Sequence, residues 1–217
     1  RFDAWRSGVH SMSATIDSQL ELWSAINEQL RVNSEELVEW GNLLVSFRDL
    51  LMESILIKLW AITHDKDLRT ASSPNLISYV EHNLDLFSED HVRNRSNARA
   101  GSASGGSDSL VERILPRNLI TSNEIKELIQ KLDGVSSILQ NVEAHRHIRL
   151  AHLNRKQLSE NGRLRDEHPL TLKEVRHAFD VCGEIWHRAS LGYDMNHQVG
   201  GVHTDMPRQR TICLNSL

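Results

Sequence analysis

Residues 53–62 read "ESILIKLWAI", a run in which only Glu53, Ser54 and Lys58 are polar. A helix through these positions is apolar on most of its circumference, as expected of the central member of a bundle rather than a surface helix. Upstream, Leu37, Trp40, Leu44, Phe47, Leu51 and Ile55 keep helical spacing. Before them, "RVNSEE" at 31–36 offers Asn33 or Ser34 as a cap, with Glu35 and Glu36 to complement a helix start. The reading is one long helix from about Leu37 to about Ile62.

The same periodicity extends outward on both sides. Met12, Ile16, Leu20, Trp23, Ile26 and Leu30 form a stripe with steps of three and four, which predicts an N-terminal helix over about 11–31. "SSPNLISYVEHNL" at 72–84 predicts a short helix, with Ser73 as cap and Pro74 at the first helical position. "TSNEIKELIQKLDGVSSILQNV" at 121–142 carries a capping box, Thr121 and Glu124, and a stripe of Ile125, Leu128, Leu132, Val135, Ile138 and Val142, read as one helix. In "HPLTLKEVRHAFDVCGEIWHRAS" at 168–190, Thr171 and Glu174 repeat the box, and Leu172, Val175, Phe179, Cys182, Trp186 and Ala189 face inward. Strand-like alternation persists nowhere. The expected fold is all-α: an up-and-down bundle of four long helices with a short crosspiece, forming one domain over 1–192. Residues 89–109, dense in Gly, Ser and charge, are expected to be a mobile insertion, and 193–217 a polar tail.

Composition bounds the function. The chain has 217 residues and a formal charge of -4, so no global field draws it to nucleic acid or an anionic membrane, and any such binding must be local. Cys182 and Cys213 are the only cysteines, which points to a reducing, cytoplasmic setting without a structural zinc site. No apolar run approaches the roughly 20 residues a membrane-spanning helix needs. With no Met at position 1, the chain is expected to begin inside a longer or processed polypeptide. Trp23, Trp40, Trp60 and Trp186 lie on apolar stripes and are expected to pack in the core. His177 and His187 are expected at the boundary of the last helix, and His197 and His203 in the tail.

The local excess of charge is at "EAHRHIRLAHLNRK", residues 143–156. Between Ala144 and Arg165 stand Arg146, Arg149, Arg155, Lys156, Arg163 and Arg165 against Glu160, six minus one, or +5. Such a patch can hold phosphates, and a solvated helix end would look the same. On a helix, His145, Arg149 and His152 share one face, and Arg146 can reach toward it, so one proton-transfer site could form there. A metal site fits poorly, because two turns separate His145 from His152 and guanidinium groups would repel a cation. No metal or other cofactor is expected. A third reading is chemical: a permanently charged Arg steadies charge on a phosphodiester while a His moves a proton. RNA suits that pair, since its 2'-hydroxyl is a built-in nucleophile beside the scissile phosphate. Structural histidines remain the competing explanation.

"RHIRLAH", Arg146 to His152, resembles the Arg-x(4–6)-His motif of the HEPN superfamily, and more closely its AbiU-like abortive-infection branch, whose motif region reads like "RDKRLAH" before a final helix. The order of the surrounding segments fits over about residues 35–190. The resemblance implies an α-helical bundle, usually a homodimer, in which two copies of the motif meet to make a metal-independent RNA-cleaving site in phage defence or a toxin–antitoxin pair. By that resemblance Arg146 and His152 are catalytic candidates. His147, where the family commonly has Asp or Asn, is the polar residue that positions the arginine or the substrate. Arg149, Arg155 and Lys156 are added from the charge argument as RNA phosphate contacts. An antitoxin or defence-system partner is a further expectation, and a non-catalytic RNA-binding or partner-binding scaffold is the alternative function.

Overall fold

The computed structural model describes residues 2–33, 39–64, 70–100, 119–151 and 166–194, with the side chains of 96, 97, 99, 100, 148–151 and 194 outside that set. The described elements are α1 (Phe2–Val32), α2 (Gly41–His64), α3 (Ser73–His82), a 3-10 turn (Leu84–Phe87), α4 (Glu89–Ala100), α5 (Ser122–Gly134), α6 (Ser136–Ala151) and α7 (Leu172–Asp194). Among the described residues there is no strand, and the fold is all-helical as expected. None of the helices is long and apolar enough to cross a membrane.

The helix at the centre is the last one. α7 touches every helix from α1 to α6, and its Val175, Ala178, Phe179, Cys182, Ile185, Trp186 and Ala189 are buried. The expectation that α2 is the central member therefore holds only for its second half. Leu51, Ile55, Leu56, Leu59 and Ile62 are buried, whereas Trp40 and Phe47, expected in the core, stand 59% and 44% exposed. α2 runs antiparallel to α1, with Gln19 Nε2 donating to Ser54 Oγ at 2.9 Å, and its buried positions begin only at Leu51.

α1 begins at Phe2 rather than near residue 11. Phe2, Trp5 and Val9 continue the stripe of Ile16 and Leu20 backward and are buried. The Phe2 ring lies 4.3 Å from that of Tyr193 and 6.0 Å, edge-on, from that of Phe87, so the start of α1, the 3-10 turn and the end of α7 share one aromatic cluster. The polar tail thus cannot start before residue 194.

Three local expectations also change. The cap of α3 is Ser72, which accepts from Asn75 N, while Ser73 is buried and donates to Ile62 O at 3.1 Å, joining α3 to the end of α2. The stripe of 121–142 is buried as one surface but is broken into α5 and α6 at Val135, whose N–H donates back to Leu132 O at 3.2 Å. That tight turn follows Gly134, the poorest helix former in the stretch after proline. Finally, 89–100 is the helix α4, not part of a mobile insertion. Val92 is buried and Arg95 donates to Tyr193 O at 2.8 Å with its guanidinium carbon 3.9 Å from the Tyr193 ring centroid. Residues 101–109 lie outside the described residues, as does the tail from 195 onward.

Candidate functional site

α6 is an amphipathic helix whose inner face, Val135, Leu139 and Val142, packs on the core, and this fixes the rotation of the turn that follows. His145 continues the inner face. It is 9% exposed, and its Nε2–H donates to His168 O at 2.8 Å. Asn141, one turn earlier, donates from Nδ2 to Pro169 O at 2.8 Å and faces His168 Nδ1 from its Oδ1 at 3.3 Å. These bonds tie the chain that enters α7 to the body of α6. The Thr171 capping box then starts α7, with Thr171 N donating to Glu174 Oε2 at 2.7 Å and Glu174 N donating to Thr171 Oγ1 at 3.2 Å. Thr171's backbone N–H holds the Glu174 carboxyl below its ordinary range. Both ends of the basic stretch are thereby anchored. His145, which its spacing allows on a proton-transfer face, is here a structural link between α6 and the chain entering α7.

Arg146 turns to the flank of α2. Its guanidinium carbon lies 3.6 Å from the centroid of the Trp60 ring, a cation–π contact at close range. Trp60 is half-buried, and its ring is parallel within 4° to that of His64 one turn on, with centroids 6.3 Å apart. Thr63 Oγ1 donates to Leu59 O at 2.8 Å and has no second hydrogen, so the 2.8 Å contact with His64 Nδ1 has the imidazole donating.

What holds Arg146 sets it apart. The other arginines with described side chains bond to oxygen: Arg6 to Asp3, Arg31 to Glu28, Arg48 to Asp49, Arg93 to Glu89, Arg176 to Asp17, Arg188 to Glu124, and Arg95 to the Tyr193 and Leu86 carbonyls. Among the described residues Arg146 has an indole face instead, and its buried Nε meets no acceptor. Among the described residues, then, the Arg146 cation is held by a ring face and by no bonded oxygen.

His147, the next residue, is exposed, with Nε2 3.5 Å from Glu143 Oε1, an ion pair when the ring is protonated. Arg149 is on α6 with its side chain outside the described set, and His152, Arg155 and Lys156 lie outside the described residues. His145 also lines an open cavity of about 320 Å³, together with Trp23, Asn27, Arg48, Asp49 and Leu170 among others. Trp23 is at this cavity rather than sealed in the core. Trp60 and His64 are the residues that sequence reading missed. Trp60 was legible as an apolar position, but nothing in a single sequence says which helix its ring will meet.

A family model described as AbiU2, of the HEPN group, matches residues 1–206. The match includes α1, which the motif-based resemblance over about 35–190 leaves out. No curated protein and no solved structure matches the chain.

Proposed function

The chain belongs to the AbiU2 family of HEPN proteins, and on that premise we propose that it is an endoribonuclease of abortive infection that needs no metal for its chemistry. The observation that carries this reading is the guanidinium of Arg146, which α6 holds at the start of the Arg-to-His motif against an indole face, with no oxygen bonded to it among the described residues. A phosphodiester is the anion such a group suits, because its in-plane N–H donors can meet two non-bridging oxygens at once. In the proposed reaction His152 accepts the proton of the ribose 2'-hydroxyl as its oxygen forms a bond to phosphorus. The bond from phosphorus to the 5' oxygen breaks, that oxygen takes a proton from water as it leaves, and His152 returns its own proton to the resulting hydroxide. The products are a 2',3'-cyclic phosphate and a 5'-hydroxyl. Arg146 steadies the charge that builds on the phosphoryl oxygens, His147 orients the RNA or the arginine, and Arg149, Arg155 and Lys156 contact flanking phosphates.

The active form is proposed to be a homodimer with the two motifs facing each other. The exposed apolar side chains of Trp40, in the turn before α2, and of Leu43, Phe47 and Leu50 on α2 support this, since they continue into the helix that carries Trp60 and leave a face for a second copy. A protein that neutralises the nuclease is a further proposed partner.

The test is cleavage of single-stranded RNA by the purified chain in EDTA, with products analysed for cyclic phosphate ends. Arg146→Ala and His152→Ala are each expected to lower the rate by roughly a hundredfold or more while circular dichroism stays unchanged. Equal rates in both variants and the wild type would remove these residues from the chemistry. RNA retention without products would favour the binding-scaffold reading.

A further inference from the structure

The contact that holds Arg146 has a chemical logic of its own. A carboxylate partner would occupy the in-plane N–H donors of the guanidinium and cancel its charge, and the group would then have little left for an anion. An aromatic face takes up the flat side instead. With its carbon 3.6 Å from the Trp60 centroid, the guanidinium is too close to aim an N–H at the ring, so it lies face-on, and its two Nη groups rather than its buried Nε are left for an anion. The indole is itself constrained, packed parallel to His64, whose ring is oriented by its bond to Thr63. Trp60 Nε1 is buried with no hydrogen-bond partner among the described residues. The ring is therefore held through its faces rather than its polar atom.

We infer that Trp60 is a positioning residue: its ring face sets the height and plane of the Arg146 guanidinium and leaves the Nη groups for a phosphodiester. The inference rests on the reading of Arg146 as the phosphate-binding group. Because the Nε1–H makes no bond, any flat ring of sufficient size should serve. Trp60→Phe keeps the face, and Trp60→Leu keeps apolar bulk without it. His64 stiffens the ring from the next turn of α2, one step further from the substrate.

The experiment uses the full chain in two readouts. In RNA cleavage, Trp60→Leu is expected to lower kcat by roughly a hundredfold, with KM changed far less, as for a misplaced group rather than a lost binding surface. Trp60→Phe is expected to restore most of the rate. The second readout is a double-mutant cycle of Trp60→Leu with Arg146→Ala, followed by chemical denaturation. It is expected to be non-additive whether or not the protein cuts RNA. If Trp60→Leu does not fold, Trp60→Met takes its place. An additive cycle, or a Trp60→Leu protein that cuts as fast as wild type, would overturn the role of Trp60. A wild type that cuts no RNA but shows a non-additive cycle would instead overturn the nuclease reading and leave the contact standing.

Discussion

His145 and Arg146 are consecutive on α6 and have opposite surroundings. The imidazole is turned inward and bonded to the His168 carbonyl, while the guanidinium is turned to the flank and bonded to no oxygen among the described residues. Spacing in the sequence groups His145 with Arg149 and His152 on one face, and that grouping is sound helical geometry. It does not say whether the face meets solvent or core, because that depends on the rotation imposed by Val135, Leu139 and Val142 against other helices. The motif arginine was legible because its chemistry is local, whereas its partner Trp60 was not, because the contact joins residues far apart in the chain. His145→Ala is expected to lower the free energy of unfolding by about 1–3 kcal/mol, since it strands the His168 carbonyl and loosens the chain entering α7. Urea denaturation checks this. An unchanged midpoint together with lost RNA cleavage would return His145 to the chemistry.

Among the elements, the features read correctly are those whose cause is local. Both capping boxes, Thr121 with Glu124 and Thr171 with Glu174, form where the S/T-x-x-E spacing places them. Two local features were misread, the cap of α3 and the break after Gly134, and the larger misreadings depend on distant partners. α4 has hardly any apolar stripe and is held by Val92 and by Arg95 on Tyr193, and the first turns of α1 are held by aromatic rings from two other segments. Glu124 joins the two kinds of cause, since it closes its own capping box and also receives Arg188 from α7. Partial burial pushes its carboxyl up, but the bonds from Arg188 and Thr121 together outweigh this and hold it below its ordinary value. A depressed carboxyl contributes stability that is present above its unfolded-state pKa and is lost as pH falls through the lower folded value. Glu124→Gln is therefore expected to reduce stability by about 1–2 kcal/mol at neutral pH. The gap from wild type should close once the medium is acidic enough to protonate Glu124 in the folded protein. Thermal melts of both proteins from neutral to acid pH test the sign, and a gap that stays constant would mean that the carboxylate charge is not the source.

For the whole molecule, the unanswered surface is on α2. Trp40, Leu43, Phe47 and Leu50 are spaced three, four and three apart and are 59%, 59%, 44% and 61% exposed, a stripe whose spacing is that of a helix–helix seam. Ile57, 38% exposed, continues the stripe one heptad beyond Leu50, and about a two-fold axis running along α2 each of these residues would meet its own copy. Trp60, with Arg146 against it, lies further along the same helix, so a parallel pairing of this kind would bring both motifs to the same end of one interface. The full chain is expected to sediment with twice its 24.8 kDa mass. Leu43→Glu with Leu50→Glu should give a monomer of unchanged helicity that has lost RNA cleavage, because paired charges in an apolar seam would be buried without partners. Mixing supplies the sharper arm. If each site takes its arginine from one protomer and its histidine from the other, inactive Arg146→Ala and His152→Ala proteins refolded together will form mixed dimers with one intact site each, and activity will return. A mixture as inactive as its parents, from a protein that sediments as a dimer, would place both groups of each site on a single chain.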